Sequence, residues 1–215
     1  NSIIEKLEAY GIKALEDAAK GRCFAVINED LPEDAMRGVF SSPLGWVKKY
    51  NPDRTEVEND GRVITDQRLV NNHCSKFNHP PALQPRHREV ARETLWWQEQ
   101  FPGLDVLYAK KDVKAAFKLL WLESESVGVF AVELPGEPFG LPGKTITVFA
   151  LVLTFGWAGS PGEYQLLATV AKLYHQSFRP NQEEWHTTVP FSSKFLVDDQ
   201  LLQEPLLGTR PWQSA

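Results

Sequence analysis

Three aspartates in two widely separated segments carry the clearest chemistry that this sequence offers. Asp112 lies at the end of a predicted strand that opens with the apolar residues "VLYA" at Val106, and Asp198 and Asp199 are adjacent in "FLVDDQLL". An ionised carboxylate inside a buried strand costs several kcal/mol unless a cation or hydrogen bonds compensate it. The adjacent pair therefore either marks the end of a strand or lies against a positive charge.

If the two apolar runs are neighbouring strands, the three carboxylates converge on one place. Like charges that close disfavour one another, whereas a divalent cation favours the charged forms. Hard oxygen ligands suit Mg²⁺, which often binds substrate phosphates through few carboxylates. Two such ions can hold the attacking and leaving oxygens of a phosphoryl displacement, which is nucleotidyl transfer chemistry. Taken alone, however, two adjacent aspartates are more often a structural feature of a turn or strand end.

The first half of the chain reads as helices separated by irregular segments. An amphipathic helix is predicted in "SIIEKLEAYGIKALEDAAKG", broken near Gly11, and the residues from Leu31 to Asp60 are predicted to be mostly irregular. "RVITDQRLVN" begins as a short strand, and "PPALQPRHREVARETLWWQEQF" reads as a helix announced by prolines.

The second half alternates strands and helices. A strand from Val106 turns helical after Asp112, and residues 128–134 and 145–154 are predicted to form paired strands. A helix from Ser160 to Ser177 follows, and a strand at Phe195–Leu202 closes the fold. Strands from distant parts of the chain with helices between them predict an α+β fold in which helices pack against one sheet.

A glycine-rich segment, "LTFGWAGSPGEYQ", spans the end of the predicted strand 145–154 and the start of the Ser160 helix. It combines a strand, a turn at Gly156 and Gly159, and a helix that opens at Ser160 with Pro161 in its first position. Such a loop lets backbone approach a flat ligand, and a helix start attracts anions. On its own, a segment like this is more often a turn than a binding site.

The bulk properties narrow the class of protein. The 215 residues suffice for one sizeable core, and a net charge of -5 counts against binding of nucleic acid through the whole surface. Two cysteines without disulfide-like spacing predict a reducing, intracellular setting. No apolar run is long enough for a membrane span, so no membrane association is expected.

Four segments in order resemble the motifs of reverse transcriptases from retroviruses and retrotransposons. "KKDVKAAFKLL", "LTFGWAGSPGEYQ" and "FLVDDQLL" are similar to the three central palm motifs, and "GRVITDQRLVN" is similar to the fingers strand. The resemblance implies an RNA-directed DNA polymerase, with a palm-type antiparallel sheet packed on helices and a partial fingers subdomain. Because few residues follow Asp199, the thumb is expected to be absent.

The resemblance also implies a metal centre. Asp112, Asp198 and Asp199 match the catalytic carboxylates, and the backbone carbonyl of Val113 would complete the ligand set. The implied cofactor is a pair of Mg²⁺ ions, with Mn²⁺ as an alternative.

Four further residues, together with Val113, match nucleotide-binding positions of the family. Arg62 matches the residue that holds the incoming triphosphate, a role suited to a guanidinium. Phe117 matches the steric gate that excludes a ribose 2'-hydroxyl, although a core aromatic would look the same in the sequence. Phe155 matches the residue that packs near the nucleotide sugar, and Gly156 lies beside the templating base pair.

The resemblance divides the chain into four segments. They are an N-terminal helix and fingers segment in 1–80, a palm helix and first catalytic strand in 81–119, fingers return strands in 120–154, and a palm helix and second catalytic strand in 155–215. The expected partners are an RNA or DNA template with its primer, deoxynucleoside triphosphates, and the thumb and RNase H regions of a larger polyprotein. The expected location is the cytoplasm, the nucleus or a virus-like particle.

A second hypothesis stays open. A truncated, noncatalytic module derived from a retroelement would use the same groove to bind nucleic acid or protein. The presence of all three carboxylates favours catalysis, whereas the absence of a thumb either favours the binding module or only marks where this sequence stops.

Overall fold

The computed structural model describes residues 3–180 and 189–215. The helices are α1 Leu7–Ala19, α2 Arg68–His73, α3 His87–Gln100, α4 Ser160–Ser177 and α5 Arg210–Ser214. The strands are β1 Cys23–Ile27, β2 Leu44–Tyr50, β3 Glu56–Thr65, β4 Val106–Asp112, β5 Ala131–Pro135, β6 Thr145–Ala150, β7 Lys194–Leu196 and β8 Asp199–Pro205.

Two compact units alternate along the chain. The first unit contains residues 3–78 and 117–160, and the second contains residues 79–116 and 161–215. The metal ligands expected from the sequence lie in the second unit, whereas the expected nucleotide-binding residues other than Val113 lie in the first. Among the residues described, no helix combines the length and apolar character that a membrane span requires.

The strands form three small antiparallel sheets in the described part of the chain. Their orders are β1-β6-β5, β2-β3 and β4-β8-β7. The fold is therefore mixed helix and sheet with antiparallel pairing, which agrees with an α+β class. The expectation of one sheet was wrong, because the strands pair only within these small groups.

The core of the first unit lies where α1 meets the sheet of β1, β5 and β6. Leu7, Trp46, Leu134 and Val148 belong to one buried apolar cluster there. The predicted break of α1 near Gly11 was wrong, since the helix runs unbroken through this residue. A Cβ at Gly11 would lie 2.5 Å from the Phe139 ring, so glycine here permits close packing rather than ending the helix.

The segment that was predicted to be irregular, residues 31–60, contains β2 and the first half of β3 instead, whereas the later part of β3, from Arg62, agrees with the predicted short strand. Leu44 and Trp46 are buried on β2, but the four residues after Trp46 are all exposed, so the alternation typical of a strand is missing from the rest of β2. The turn uses Arg54 at φ +67°, and the Asp53 carboxylate accepts the Thr55 N–H at 2.9 Å. Turn-forming residues between the strands thus masked β2 and the start of β3 in the sequence.

In the second unit, α3 and α5 fix the strand β8. Gln203 on β8 is fully buried, and its amide donates to the Val90 carbonyl and the Thr94 hydroxyl of α3, each at 2.9 Å. Arg210 of α5 is also fully buried and pairs with Glu204 of β8. A buried polar network that satisfies its members specifies one arrangement, so it holds β8 in place.

Candidate metal centre

Antiparallel pairing of β4 with β8 brings the distant aspartates together. Asp112, the last residue of β4, lies directly opposite Asp199, the first residue of β8. The pairing of the two segments extends one residue beyond the strands, because the Val113 N–H donates to the Asp198 carbonyl at 2.9 Å. The sequence hypothesis made convergence conditional on neighbouring strands, and this condition is met.

The acidic pair lies at a tight turn, not inside one continuous strand. The predicted strand Phe195–Leu202 is a hairpin, in which Leu196 of β7 pairs with Asp199 of β8 and Val197 and Asp198 form the loop. Val197 has φ +57°, a left-handed conformation that costs a β-branched residue of the order of 1–3 kcal/mol. The strained residue directly precedes the two carboxylate-bearing positions, and strained backbone is common at functional sites.

Gln84 supports this strained turn from outside the sheet. Its side-chain oxygen accepts the Val197 N–H at 2.8 Å, and its amide lies 3.5 Å from the Gln165 side-chain oxygen on α4. The bond gives the loop N–H an acceptor, which a half-buried backbone donor needs. Sequence reasoning missed Gln84, since nothing in "PPALQPR" marks this residue as a partner of the acidic turn.

The three carboxylates form one cluster. One oxygen each of Asp112, Asp198 and Asp199 lie within 4.8 Å of one another, with Asp112 exposed and the other two half-buried. Within residues 3–180 and 189–215, no other set of three or more His, Cys, Asp or Glu side chains is close enough to share an ion. Hard carboxylate oxygens with open access match the preferences of Mg²⁺, so the donor set fits this ion.

The negative charge of the cluster affects two neighbours. Lys110, two residues before Asp112, ion-pairs with Asp199 at 2.7 Å, and the hydrogen bond and charge of Asp199 raise the Lys110 pKa. Burial raises the pKa of Tyr164 on α4, and the charges of Asp198 and Asp112 add to this effect. The acidic pair therefore both ends a strand and lies against a positive charge.

The first unit contains an aromatic pair at two of the expected nucleotide-binding positions. The ring centroids of Phe117 and Phe155 lie 4.8 Å apart with the planes tilted by 50°. Phe117 is buried, whereas half of Phe155 is exposed. The two residues thus form a surface with a rigid inner ring and an accessible outer ring.

Gly156, next to this pair, requires glycine for two reasons. Its φ is +103°, and a Cβ would lie 3.0 Å from the Thr65 carbonyl at the end of β3. The Asn71 amide donates to the Gly156 carbonyl, and its oxygen accepts the Ala158 N–H, both at 2.8 Å. Asn71, the last residue of the fingers-like motif, therefore fixes the glycine-rich turn, a role that its position in the sequence did not reveal.

The basic residues near β3 have different surroundings. Arg62 is exposed on β3, opposite Val47 of β2. Arg68 hydrogen-bonds Asp66 through two guanidinium nitrogens, the shortest contact being 2.6 Å, and thereby lowers the Asp66 pKa to about 2. The structure thus leaves Arg62 accessible and pairs Asp66 with Arg68.

A search of known protein families finds no family model that matches the chain, and a search of curated proteins finds no significant match. The reverse-transcriptase resemblance consequently rests on the four ordered motifs themselves.

Proposed function

We propose that this chain is the fingers and palm of an RNA-directed DNA polymerase that adds deoxynucleotides to a primer 3' end. One observation carries the proposal: the three carboxylates that the motifs single out lie within 4.8 Å of one another on adjacent strands. A turn that is strained at Val197 and supported by Gln84 presents two of them.

The acidic residues form the catalytic centre in this proposal. Asp112, Asp198 and Asp199 would hold two Mg²⁺ ions, with the Val113 carbonyl as an additional ligand. When bound, these ions neutralise the charge that develops on the transferred phosphoryl group and orient the attacking and leaving oxygens. The strands β4 and β8 contribute positioning, because their register fixes the spacing of the carboxylates before any ligand binds.

By their match to the family motifs, four residues would select and hold the nucleotide. Phe117 is buried against Phe155, so its ring cannot move aside for a ribose 2'-hydroxyl, and deoxynucleotides are favoured. The accessible ring of Phe155 packs near the sugar, and Gly156 allows the backbone to approach the base pair. Arg62 binds the triphosphate through a guanidinium that is always charged.

The acidic net charge is compatible with a nucleic-acid substrate. Lys48 and Lys49 on β2 and Arg62 on β3 are exposed basic residues of one hairpin that would contact phosphates, although residues 44–65 carry four basic and four acidic residues in total. Phosphate contacts depend on such local clusters rather than on the net charge of the chain. The proposed partners are therefore a template with its primer and deoxynucleoside triphosphates.

A primer-extension assay tests the proposal. The chain is given an RNA template, an annealed DNA primer, one deoxynucleotide and Mg²⁺, with Asp198→Asn as the matched variant. We expect metal-dependent extension by the wild type and none by the variant. Equal extension by both proteins would refute the assigned centre, and binding of the primer and template without extension would favour the noncatalytic module.

A further inference from the structure

The helix α4 exposes a continuous apolar stripe in the second unit. Leu166, Val170, Leu173 and Tyr174 are 56%, 64%, 60% and 68% exposed. Tyr164 and Ala168, on the opposite face of the helix, are buried. The helix is thus apolar on both sides, whereas a surface helix normally pairs an apolar face with a polar one.

The stripe is large and uncharged. Its members are Leu166, Leu167, Val170, Leu173, Tyr174 and Phe178. Together they present roughly 600 Å² of apolar side chain, at the upper end of the ~300–600 Å² that the largest patch on a typical monomer covers. Between residues 166 and 178, Lys172 is the only Asp, Glu, Lys or Arg, and its position on the helix lies away from the stripe. No charge therefore selects a partner of opposite sign.

The spacing within the stripe is symmetric about Val170. Leu167 and Leu173 lie three residues before and after it, and Leu166 and Tyr174 lie four residues before and after it. Positions three and four apart share one helical face. Two such helices crossing antiparallel at Val170 would place Leu167 against Leu173 and Leu166 against Tyr174 of the other copy. A two-fold axis would repeat each of these contacts with the two copies exchanged. A surface that matches itself after a two-fold rotation is what an isologous dimer needs.

We infer that α4 is a self-association surface that pairs antiparallel with α4 of a second copy of this chain, around a two-fold axis through Val170. Covering both stripes would bury about 1,200 Å², the lower end of the ~1,200–2,000 Å² of stable interfaces. The dimer is therefore weak and reversible. The inference stands on the stripe alone and does not depend on the proposed polymerase activity.

Sedimentation equilibrium over a range of concentrations tests the association. The wild type is expected to form a concentration-dependent dimer. Val170→Glu is expected to weaken it by about 30-fold or more, since an unpaired carboxylate at the centre of an apolar interface is poorly tolerated. Leu15→Glu on α1 is the matched control, because Leu15 is 72% exposed and lies in the other unit. Circular dichroism verifies that both variants fold.

Disulfide cross-linking under a mild oxidant tests the geometry in a background where Cys23 and Cys74 are replaced by serine. Val170→Cys should cross-link with itself, because the residue lies on the axis. Leu166→Cys should cross-link only when mixed with Tyr174→Cys.

Three results would overturn the inference. They are a wild type that stays monomeric at the highest concentration, a Val170→Glu variant that dimerises as the wild type does, and self-cross-linking of Leu166→Cys as strong as that of Val170→Cys. A fourth result, unfolding of the Val170→Glu variant as a monomer, would also overturn the inference, because the stripe would then pack within the chain. None of these results bears on primer extension.

Discussion

Asp198→Asn should make the protein more stable without metal and insensitive to Mg²⁺. The substitution keeps the size and shape of the side chain but removes one of three negative charges. The ion pair with Lys110 offsets part of the charge of Asp199, so Asp198 and Asp112 are left to repel each other. If the cluster exists to bind a cation, it must destabilise the fold when no cation is present.

The size of the effect follows from the spacing of the carboxylates. For the 4.8 Å limit of the cluster, two unit charges repel by about 1 kcal/mol at the dielectric constant of water and by about 3.5 kcal/mol at an effective value near 20. Asp112 is exposed and Asp198 half-buried, and salt screens exposed charges, so the gain lies near the lower limit. We expect about 1–2 kcal/mol at low ionic strength.

Urea unfolding with EDTA and with Mg²⁺ measures both effects. The wild type should be less stable in EDTA and gain stability with Mg²⁺ as ligand binding to the folded state predicts. The Asp198→Asn variant should be more stable than the wild type in EDTA, and Mg²⁺ should change its stability little. Asp105→Asn is the charge-matched control, because Asp105 is exposed just before β4, at the end remote from Asp112.

One result would refute this reasoning. If Asp198→Asn is no more stable than the wild type in EDTA and responds to Mg²⁺ as the wild type does, the carboxylates neither repel each other nor share an ion. The assignment of these aspartates as a catalytic centre would then be refuted, despite the resemblance of the motifs.

Three further predictions concern the residues around the two groups. Phe117→Val should raise the use of ribonucleotides relative to deoxynucleotides by about tenfold or more in primer extension, and an unchanged ratio would contradict the steric role. Gln84→Ala removes the acceptor of the Val197 N–H and should lower the free energy of unfolding by about 1–3 kcal/mol, and an unchanged value in urea unfolding would argue against the bond. Hydrogen bonds from Arg68 lower the Asp66 pKa from 3.8 to about 2, so their stabilisation is complete above about pH 4 and is lost as the pH falls towards 2. Arg68→Gln should return the Asp66 pKa, measured by NMR titration, towards 3.8, and an unchanged value would contradict the pairing.

Local patterns in the sequence determined several of the regular elements. The helix Ser160–Ser177 was predicted with its observed bounds, because its start is marked by Ser-Pro and its apolar positions repeat with the helical period. The strand that ends at Asp112 was also predicted, since it opens with the continuous apolar residues from Val106 to Ala109. The approach of Asp112 to Asp199 followed once these strands were assumed to be neighbours.

The tertiary structure alone decided how the acidic turn and the glycine-rich turn are held. Val197 takes its left-handed conformation with the support of Gln84, which is 113 residues away in the chain, and Asn71 fixes Gly156 across 85 residues. A hydrogen bond between two common polar groups leaves no periodicity and no special spacing in the sequence. The residue types therefore determined which chemistry is available, whereas long-range packing decided which side chains position it.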